Sequence, residues 1–308
     1  MAAQHVQDPG FGQKYSQKTQ RMINDDGSYN IKRLGSNFAV KDFYSYLVSA
    51  TTWQFTVFFI GSFLILNAIF GFLYLMLGEG ALKGTESYSW ENDYIHGFFF
   101  SIQTFTTVGY GGVAPHSITA NWIASANAFL GISWAALMAG LLFGRFSKPF
   151  PRIAFSDKML ITDLRDKPIT TLQFRVVNER SNVMMDTETE VVISFLELNN
   201  QKQYRREYYG LKLEVNKIRF FPLNWTIVHY INEDSPLFGK TAQDLEELDT
   251  EILVMIKGFD NTFHQTVYSI HSYQYKDIEW YQKFEPMFSP DEDGRIVLDL
   301  DKLNALQN

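Results

Sequence analysis

Cysteine is absent from this 308-residue chain, so neither a disulfide nor a thiolate metal site is available to it. Basic residues are in deficit: 27 Lys and Arg face 34 Asp and Glu. The formal net charge of −7 argues against a nucleic-acid partner. No internal repeat, low-complexity tract or arginine-rich helix of the voltage-sensing kind is present. The polar N-terminal stretch MAAQHVQDPGFGQKYSQ lacks an apolar core, so no cleavable signal peptide is expected. No nucleophile–base pair or paired-carboxylate motif stands out, and Gly109-Tyr110-Gly111-Gly112 is not followed by the Lys-Ser/Thr of a phosphate loop. His96, His116, His229, His264 and His271 have no Cys or carboxylate partners at metal-ligand spacing and read as structural. A membrane-anchored enzyme would therefore lack a visible active site, and no cofactor is expected.

Charge is missing most conspicuously from two long stretches, Thr52 to Leu77 and Ile118 to Phe143. Each exceeds the ~20 residues needed to cross a bilayer as a helix. The mean hydropathy of the whole chain is slightly negative, so membrane character is local to these two runs. Between them, Gly78 to Ser117 holds Lys83 as its one basic residue, against Glu79, Glu86, Glu91 and Asp93. The outer flanks carry Lys32, Arg33 and Lys41 before the first run and Arg145, Lys148, Arg152 and Lys158 after the second. The excess of flanking cations places both termini in the cytoplasm.

The stretch Asp93 to Thr106 is aromatic-rich and too short to span. It reads as a re-entrant helix, which is tolerated at membrane depth only when packed inside protein. Thr107-Val108-Gly109-Tyr110-Gly111 follows directly. A backbone that turns successive carbonyls to one side needs unusual dihedrals at alternate positions. Gly109 and Gly111 stand where glycine supplies them, while Val108 and Tyr110 can point outward and wedge the loop. The order reads as the TVGYG loop with which potassium channels replace an ion's water shell by carbonyl oxygens. On that reading K+ is held at Thr107, Val108, Gly109 and Tyr110, and a ring of four chains is required. The plainer alternative is a glycine turn between a helix and a loop.

Ala39 to Ser49 places Val40, Phe43, Tyr44 and Leu47 on one helical face, as an amphipathic helix lying in the membrane interface would. A simple extension of the first span is the competing reading. After Pro149 short apolar and period-two runs take over: Leu172 to Val177, Glu190 to Leu196, Ile218 to Phe221, Ile252 to Ile256 and Ile296 to Leu298. Many short strands over that length predict an all-β, immunoglobulin-like sandwich. The expected organisation is a flexible segment at 1–36, an interfacial slide helix at 37–50, a transmembrane pore domain at 51–147 and a cytoplasmic β-sandwich at 148–308. The fold class is thus a membrane α-helical pore domain of two transmembrane helices plus a re-entrant pore helix, joined to a C-terminal all-β domain.

Several motifs in order resemble the inward-rectifier potassium channels, especially their prokaryotic members, over about residues 32 to 290. Lys32 to Asn37 (KRLGSN) is similar to the family's approach to the slide helix, and Ser147 to Ser156 (SKPFPRIAFS) to its linker after the inner helix. FRVVNERSNV at 174–183, HYINEDSPLF at 229–238 and VMIKGFDNTFHQTVYSIHSY at 254–273 match its cytoplasmic strands. The resemblance implies a homotetrameric, passive K+ channel of the bacterial inner membrane, multi-pass, with K+ as the transported ion. It implies a hinge at Gly131, pore-lining positions at Ala135 and Ala139, and a gate at Phe143. Arg145, Lys148 and Arg152 fall where the family binds anionic lipid headgroups, though they can equally set topology. Close helix packing is the alternative for Gly131, and lipid exposure for Phe143.

Departures from the family pattern carry expectations too. Gln103 stands where a carboxylate is frequent, and Gly112-Val113 offers it no arginine. Ala135 replaces a pore-facing acid, Lys257 a cytoplasmic-pore carboxylate, and Phe150 and Pro151 occupy positions that are often basic. Weak intrinsic rectification is therefore expected. A scaffold or sensor whose pore no longer conducts is the rival reading, and the intact filter argues against it.

Overall fold

The computed structural model describes residues 8–15, 20–24, 27–35, 42–85, 90–149, 151–163, 170–198 and 203–307. It divides into two compact units, Gly35–Lys148, and Pro149–Asn308 together with Met1–Leu34. The expected start of the slide helix at 37, the Ser36-Asn37 end of its approach motif, Val40 and Phe150 fall outside the described residues.

In chain order β1 (Lys14–Tyr15) comes first. The first unit then holds α1 (Asp42–Ser49), α2 (Thr52–Met76), β2 (Leu82–Lys83), α3 (Trp90–Phe105), β3 (Ala114–Pro115) and α4 (Ile118–Phe146). Thr51 makes the corner between α1 and α2. Its hydroxyl accepts from Gln54 N at 3.3 Å while its own N–H donates to Gln54 Oε1 at 3.0 Å, closing a capping box. Ser117 starts α4 by accepting from Ala120 N at 3.1 Å. At 25 and 29 residues, α2 and α4 are long and apolar enough to cross a membrane.

Small residues let α2 and α3 approach closely. A Cβ on Gly71 would lie 2.9 Å from Phe98 Cα, and one on Gly97 would lie 3.0 Å from Gly71 O. Trp134 of α4 gathers Phe59, Phe63 and Phe105 around it, with ring centroids 4.9, 5.6 and 5.8 Å away.

The second unit is a two-sheet sandwich. One sheet runs β10 (Trp225–Tyr230), β6 (Thr170–Asn178), β5 (Met159–Asp163), β13 (Ile278–Trp280), with β4 (Ile153–Phe155) also on β6. The other runs β1, β8 (Tyr204–Gly210), β7 (Met184–Leu198), β11 (Glu251–Asp260), β12 (Gln265–Gln274), with β9 (Lys217–Phe220) also on β7. Among the described residues every pairing is antiparallel except β13 with β5. Leu172, Phe174, Val176 and Ile227 of the first sheet pack against Ile193, Phe195, Ile252, Val254 and Tyr273 of the second, all buried. Each strand expected from the sequence is present, and Ile296 to Leu298 forms β15 (Ile296–Leu298) against β14 (Phe288–Pro290).

The N-terminal stretch departs from the flexible segment that its polar composition implied. Lys14 and Tyr15 pair with Arg205 and Tyr204, adding β1 to the edge of the larger sheet. Met22 and Ile23 are buried against Tyr208 and Leu253. Met22 N donates to Glu251 Oε1 at 2.7 Å, and Ser272 Oγ to Ile23 O at 2.9 Å. Burial pushes the Glu251 carboxyl above its ordinary value. Two apolar residues and a few backbone bonds fasten this stretch, too sparse a pattern to read as an element.

His229 behaves as the satisfied core residue expected of it. It is buried on β10, with Nδ1 2.8 Å from Lys212 O and Nε2 2.8 Å from Ser235 Oγ. The tautomer protonated at Nδ1 donates to Lys212 and accepts from Ser235. Burial lowers its pKa below 6.5. A depressed histidine stabilises the fold fully above its unfolded pKa and loses that contribution as pH falls through the folded one. Thermal melts of the full chain in detergent are expected to show a Tm that drops on acidification below about pH 6.5. His229→Gln removes that component of the drop and lowers Tm at pH 8. An unaltered pH profile in the variant contradicts this.

Candidate ion-conduction site

The carboxyl end of α3 delivers the chain into Thr106–Gly112 without a further element. Main-chain donors of this loop turn back onto the helix: Thr107 N donates to Thr104 O at 3.1 Å, and Val108 N and Gly109 N donate to Gln103 O at 2.9 and 3.2 Å. Thr107, Gly109 and Gly111 have φ of +59°, +54° and +81°. The left-handed alternation expected at the two glycines thus begins one step earlier, at a threonine. A β-branched residue is an outlier there and costs about 1 to 3 kcal/mol, held in place by the bonds to Gln103 and Thr104. Among the described residues, no main-chain or side-chain donor meets the carbonyl oxygens of Thr107 to Gly111. A column of acceptors is left for something else to satisfy.

Val108 and Tyr110 do not wedge the loop within one chain. They are 51% and 80% exposed on it. The outer end is tied down by backbone. A Cβ on Gly84, at φ +88°, would lie 2.0 Å from Gly112 O, and β2 pairs with β3 just beyond. Glu91 and Asp93 occupy the first turn of α3, where negative charge favours the helix dipole.

No ion pair was expected to brace the filter, and sequence reasoning found no substitute. The structure supplies one from three helices. Ser101 Oγ donates to Asn67 Oδ1 at 2.7 Å, and Asn67 Nδ2 donates to Phe63 O at 2.8 Å. Asn127 Nδ2 donates to Ser101 Oγ at 3.1 Å and to Ser101 O at 3.3 Å. All three side chains have no exposed surface. The available signal was an asparagine inside each uncharged span, since polar residues there pack toward protein rather than lipid.

On α4 the expected positions separate cleanly. Ala135, Ala139 and Phe143 are exposed along one face, Phe143 at 74%, while Gly131 and Met138 are buried on another. For Gly131 the structure favours packing as the reason for glycine: a Cβ would lie 2.1 Å from Phe105 O and 2.8 Å from its carbonyl carbon.

The three cations assigned to lipid are all engaged. Arg145 Nη1 donates to Leu47 O at 2.9 Å and Ala50 O at 2.7 Å, and Lys148 Nζ donates to Ser49 Oγ at 3.2 Å. In the β-unit Arg152 pairs with Glu179 at 3.2 Å, with both side chains substantially exposed. Such a pair is weak enough to exchange. Lys257 is likewise not a bare charge. It lies 2.6 Å from Glu188, which also accepts from Lys217 at 2.8 Å. Lys217 and then Lys257 hold the Glu188 carboxyl down at about 2. No cluster of His, Asp and Glu suited to a metal occurs among the described residues.

Two membrane-length helices bracketing a re-entrant helix and a loop of unpartnered carbonyls define a membrane ion channel, with a β-sandwich appended. Residues 59–148 match the ion channel family and residues 153–308 match the inward rectifier potassium channel C-terminal domain. The chain belongs to the inward rectifier potassium channel family; it is a channel and not an enzyme. It is 32% identical to inward rectifier potassium channel Kirbac3.1 of Paramagnetospirillum magnetotacticum, over 96% of this chain and 98% of that one. ATP-sensitive inward rectifier potassium channel 12 of Gallus gallus is 28% identical over 76% of this chain and 57% of its own length. Inward rectifier potassium channel 18 of Homo sapiens is 27% identical over 76% and 56%.

Proposed function

We propose that four copies of this chain surround one axis and pass K+ passively down its electrochemical gradient. The observation that carries this is the row of carbonyls from Thr107 to Gly111, which no donor among the described residues satisfies. Thr107, Val108, Gly109 and Tyr110 hold dehydrated K+, four chains closing the cage. Exposure of Tyr110 on the single chain is what neighbouring copies cover. Ala135 and Ala139 line the path below, and Phe143 closes it by dewetting when four rings meet. The pore domain is 51–147 and the cytoplasmic β-domain 148–308, in a bacterial inner membrane with both termini inside. Lys148 and Arg152 attract anionic headgroups, each contributing roughly 1 kcal/mol. No cofactor or nucleic acid takes part.

Rectification is weak on this reading because Ala135 offers no charge to a blocking polyamine. Lys257 adds no repulsion, since Glu188 compensates it. Excised patches from giant proteoliposomes, with spermine on the cytoplasmic side, test both conduction and the pore-facing assignment. The wild type carries K+ with little voltage-dependent outward block. Ala135→Asp introduces a steep block, reducing outward current about tenfold at strong depolarisation, equivalent to roughly 1.4 kcal/mol of added attraction. Strong block in the wild type, or none in the variant, refutes the assignment.

A further inference from the structure

The β-unit holds a cavity of about 260 Å³ that ion conduction leaves unused. It opens where the end of β5 and the start of β6 meet the turn after β10 and the end of β13. Trp280, Tyr281 and Phe238 give it aromatic walls, and the exposed Asp163 lines it too. The turn that carries Phe238 is fixed from inside. Leu237 N donates to Ser235 Oγ at 3.1 Å, and that hydroxyl lies 2.8 Å from Nε2 of the buried His229. Phe238 is nonetheless 55% exposed, although the turn beneath it is rigid.

Tyr281 carries a second, independent signal. Its φ is +62°, a left-handed backbone that an aromatic residue rarely takes. Its N–H donates to Ile161 O at 2.8 Å, which holds it there. The ring gains little from its own chain in return, because Tyr281 is 87% exposed. Strain retained without packing points to a ligand that the residue is placed to touch. The charges point to the sign of that ligand. Lys240 also lines the cavity, but its Nζ lies 5.1 Å from the centroid of the Phe195 ring, which is not part of the wall. Asp163 receives a loose bond from Thr170 Oγ1 at 3.5 Å, and no Lys or Arg among the described residues pairs with it.

We propose that this cavity binds a small quaternary ammonium of the choline type, with Trp280, Tyr281 and Phe238 offering their π faces and Asp163 the counter-charge. Such a cation has no N–H to donate, so aromatic faces and one carboxylate suit it. A primary ammonium brings three donors that each need an acceptor. The volume lies below the ~300 to 1,000 Å³ of drug-sized pockets, which limits the occupant to a small metabolite or a lipid headgroup.

The test is 19F NMR of the full chain in maltoside detergent, with its six tryptophans replaced by 5-fluorotryptophan. The Trp280 line is assigned by its loss in Trp280→Phe. Choline is expected to move that line saturably and to leave the others in place. 3,3-Dimethylbutan-1-ol, which has the same shape without the charge, binds about tenfold more weakly or worse. Asp163→Asn weakens choline by about tenfold. Tyr281→Gly weakens it similarly without lowering the thermal midpoint, since glycine accepts this backbone unstrained. Nanodiscs separate the two sources. A Trp280 line already shifted by phosphatidylcholine, and not by phosphatidylglycerol, assigns the headgroup; a line that waits for free choline in both assigns a soluble ligand. No saturable shift with choline, or an equal response to the uncharged analogue, overturns the proposal. So does a Tyr281→Gly protein that runs smaller on gel filtration, because the strain would then serve contact between copies.

Discussion

Alanine at position 109 abolishes K+-selective flux while leaving the protein folded and membrane-inserted. Gly109 sits at φ +54°, and no atom beyond its chain neighbours lies within 4 Å of where its Cβ would be. Within the chain the space is open, so the obstacle there is backbone handedness. An L-residue pays roughly 1 to 2 kcal/mol for that conformation, or ~4 to 8 kcal/mol over a four-chain ring. The cheaper response is a peptide flip that turns the Val108 carbonyl off the axis and leaves a gap in the cage. Gel filtration of Gly109→Ala is expected to match the wild type, with K+ flux in liposomes lost. D-alanine introduced at the same position by semisynthesis favours the observed hand and retains flux. Loss with both enantiomers contradicts this argument and points to a steric cause.

Gly131→Ala fails for the opposite reason. Its backbone is unstrained, but an added Cβ would sit 2.1 Å from Phe105 O and 2.8 Å from Phe105 Cα, all backbone. Neither helix can yield by rotating a side chain. Overpacking of this kind typically costs about 1 to 3 kcal/mol. Phe105 is the last residue of α3, directly before Thr106 and Thr107, so displacement reaches the filter within one turn. We expect Gly131→Ala to lower the thermal midpoint of the protein in detergent and to reduce K+ selectivity along with flux. A bending hinge alone would be slowed without loss of selectivity or stability. Normal stability with altered open probability would therefore assign Gly131 to flexibility rather than packing.

These two glycines illustrate how much was legible beforehand. Gly109 announced itself through its motif, because the demand for positive φ is local. Gly131 was ambiguous, because its demand comes from Phe105, distant in sequence and silent in any pattern. Both spans, the re-entrant helix and the strands of the sandwich followed from charge-free length and from period-two runs. The strain at Thr107 was not legible, since threonine gives no sign of a left-handed backbone. Arg145 hid its contacts for a related reason. Its partners are carbonyls, which every residue carries, so nothing in Leu47 or Ala50 advertises an arginine site. The Asn67–Ser101–Asn127 chain was overlooked because its three members are useful only together. Arg206 taught the same lesson in the β-unit: 1% exposed, it is held by Asp249 at 2.7 Å and Ser194 at 3.0 Å on other elements. Charge on a strand reads as surface until a buried partner is known.

The reversal potential of the reconstituted protein under bi-ionic K+ and Na+ is the most direct measurement. A cage of Thr107 to Tyr110 carbonyls predicts a preference for K+ well beyond tenfold, hence a displacement larger than about 59 mV from zero. A reversal potential near zero, with current flowing, would mean that these oxygens do not select the ion that passes.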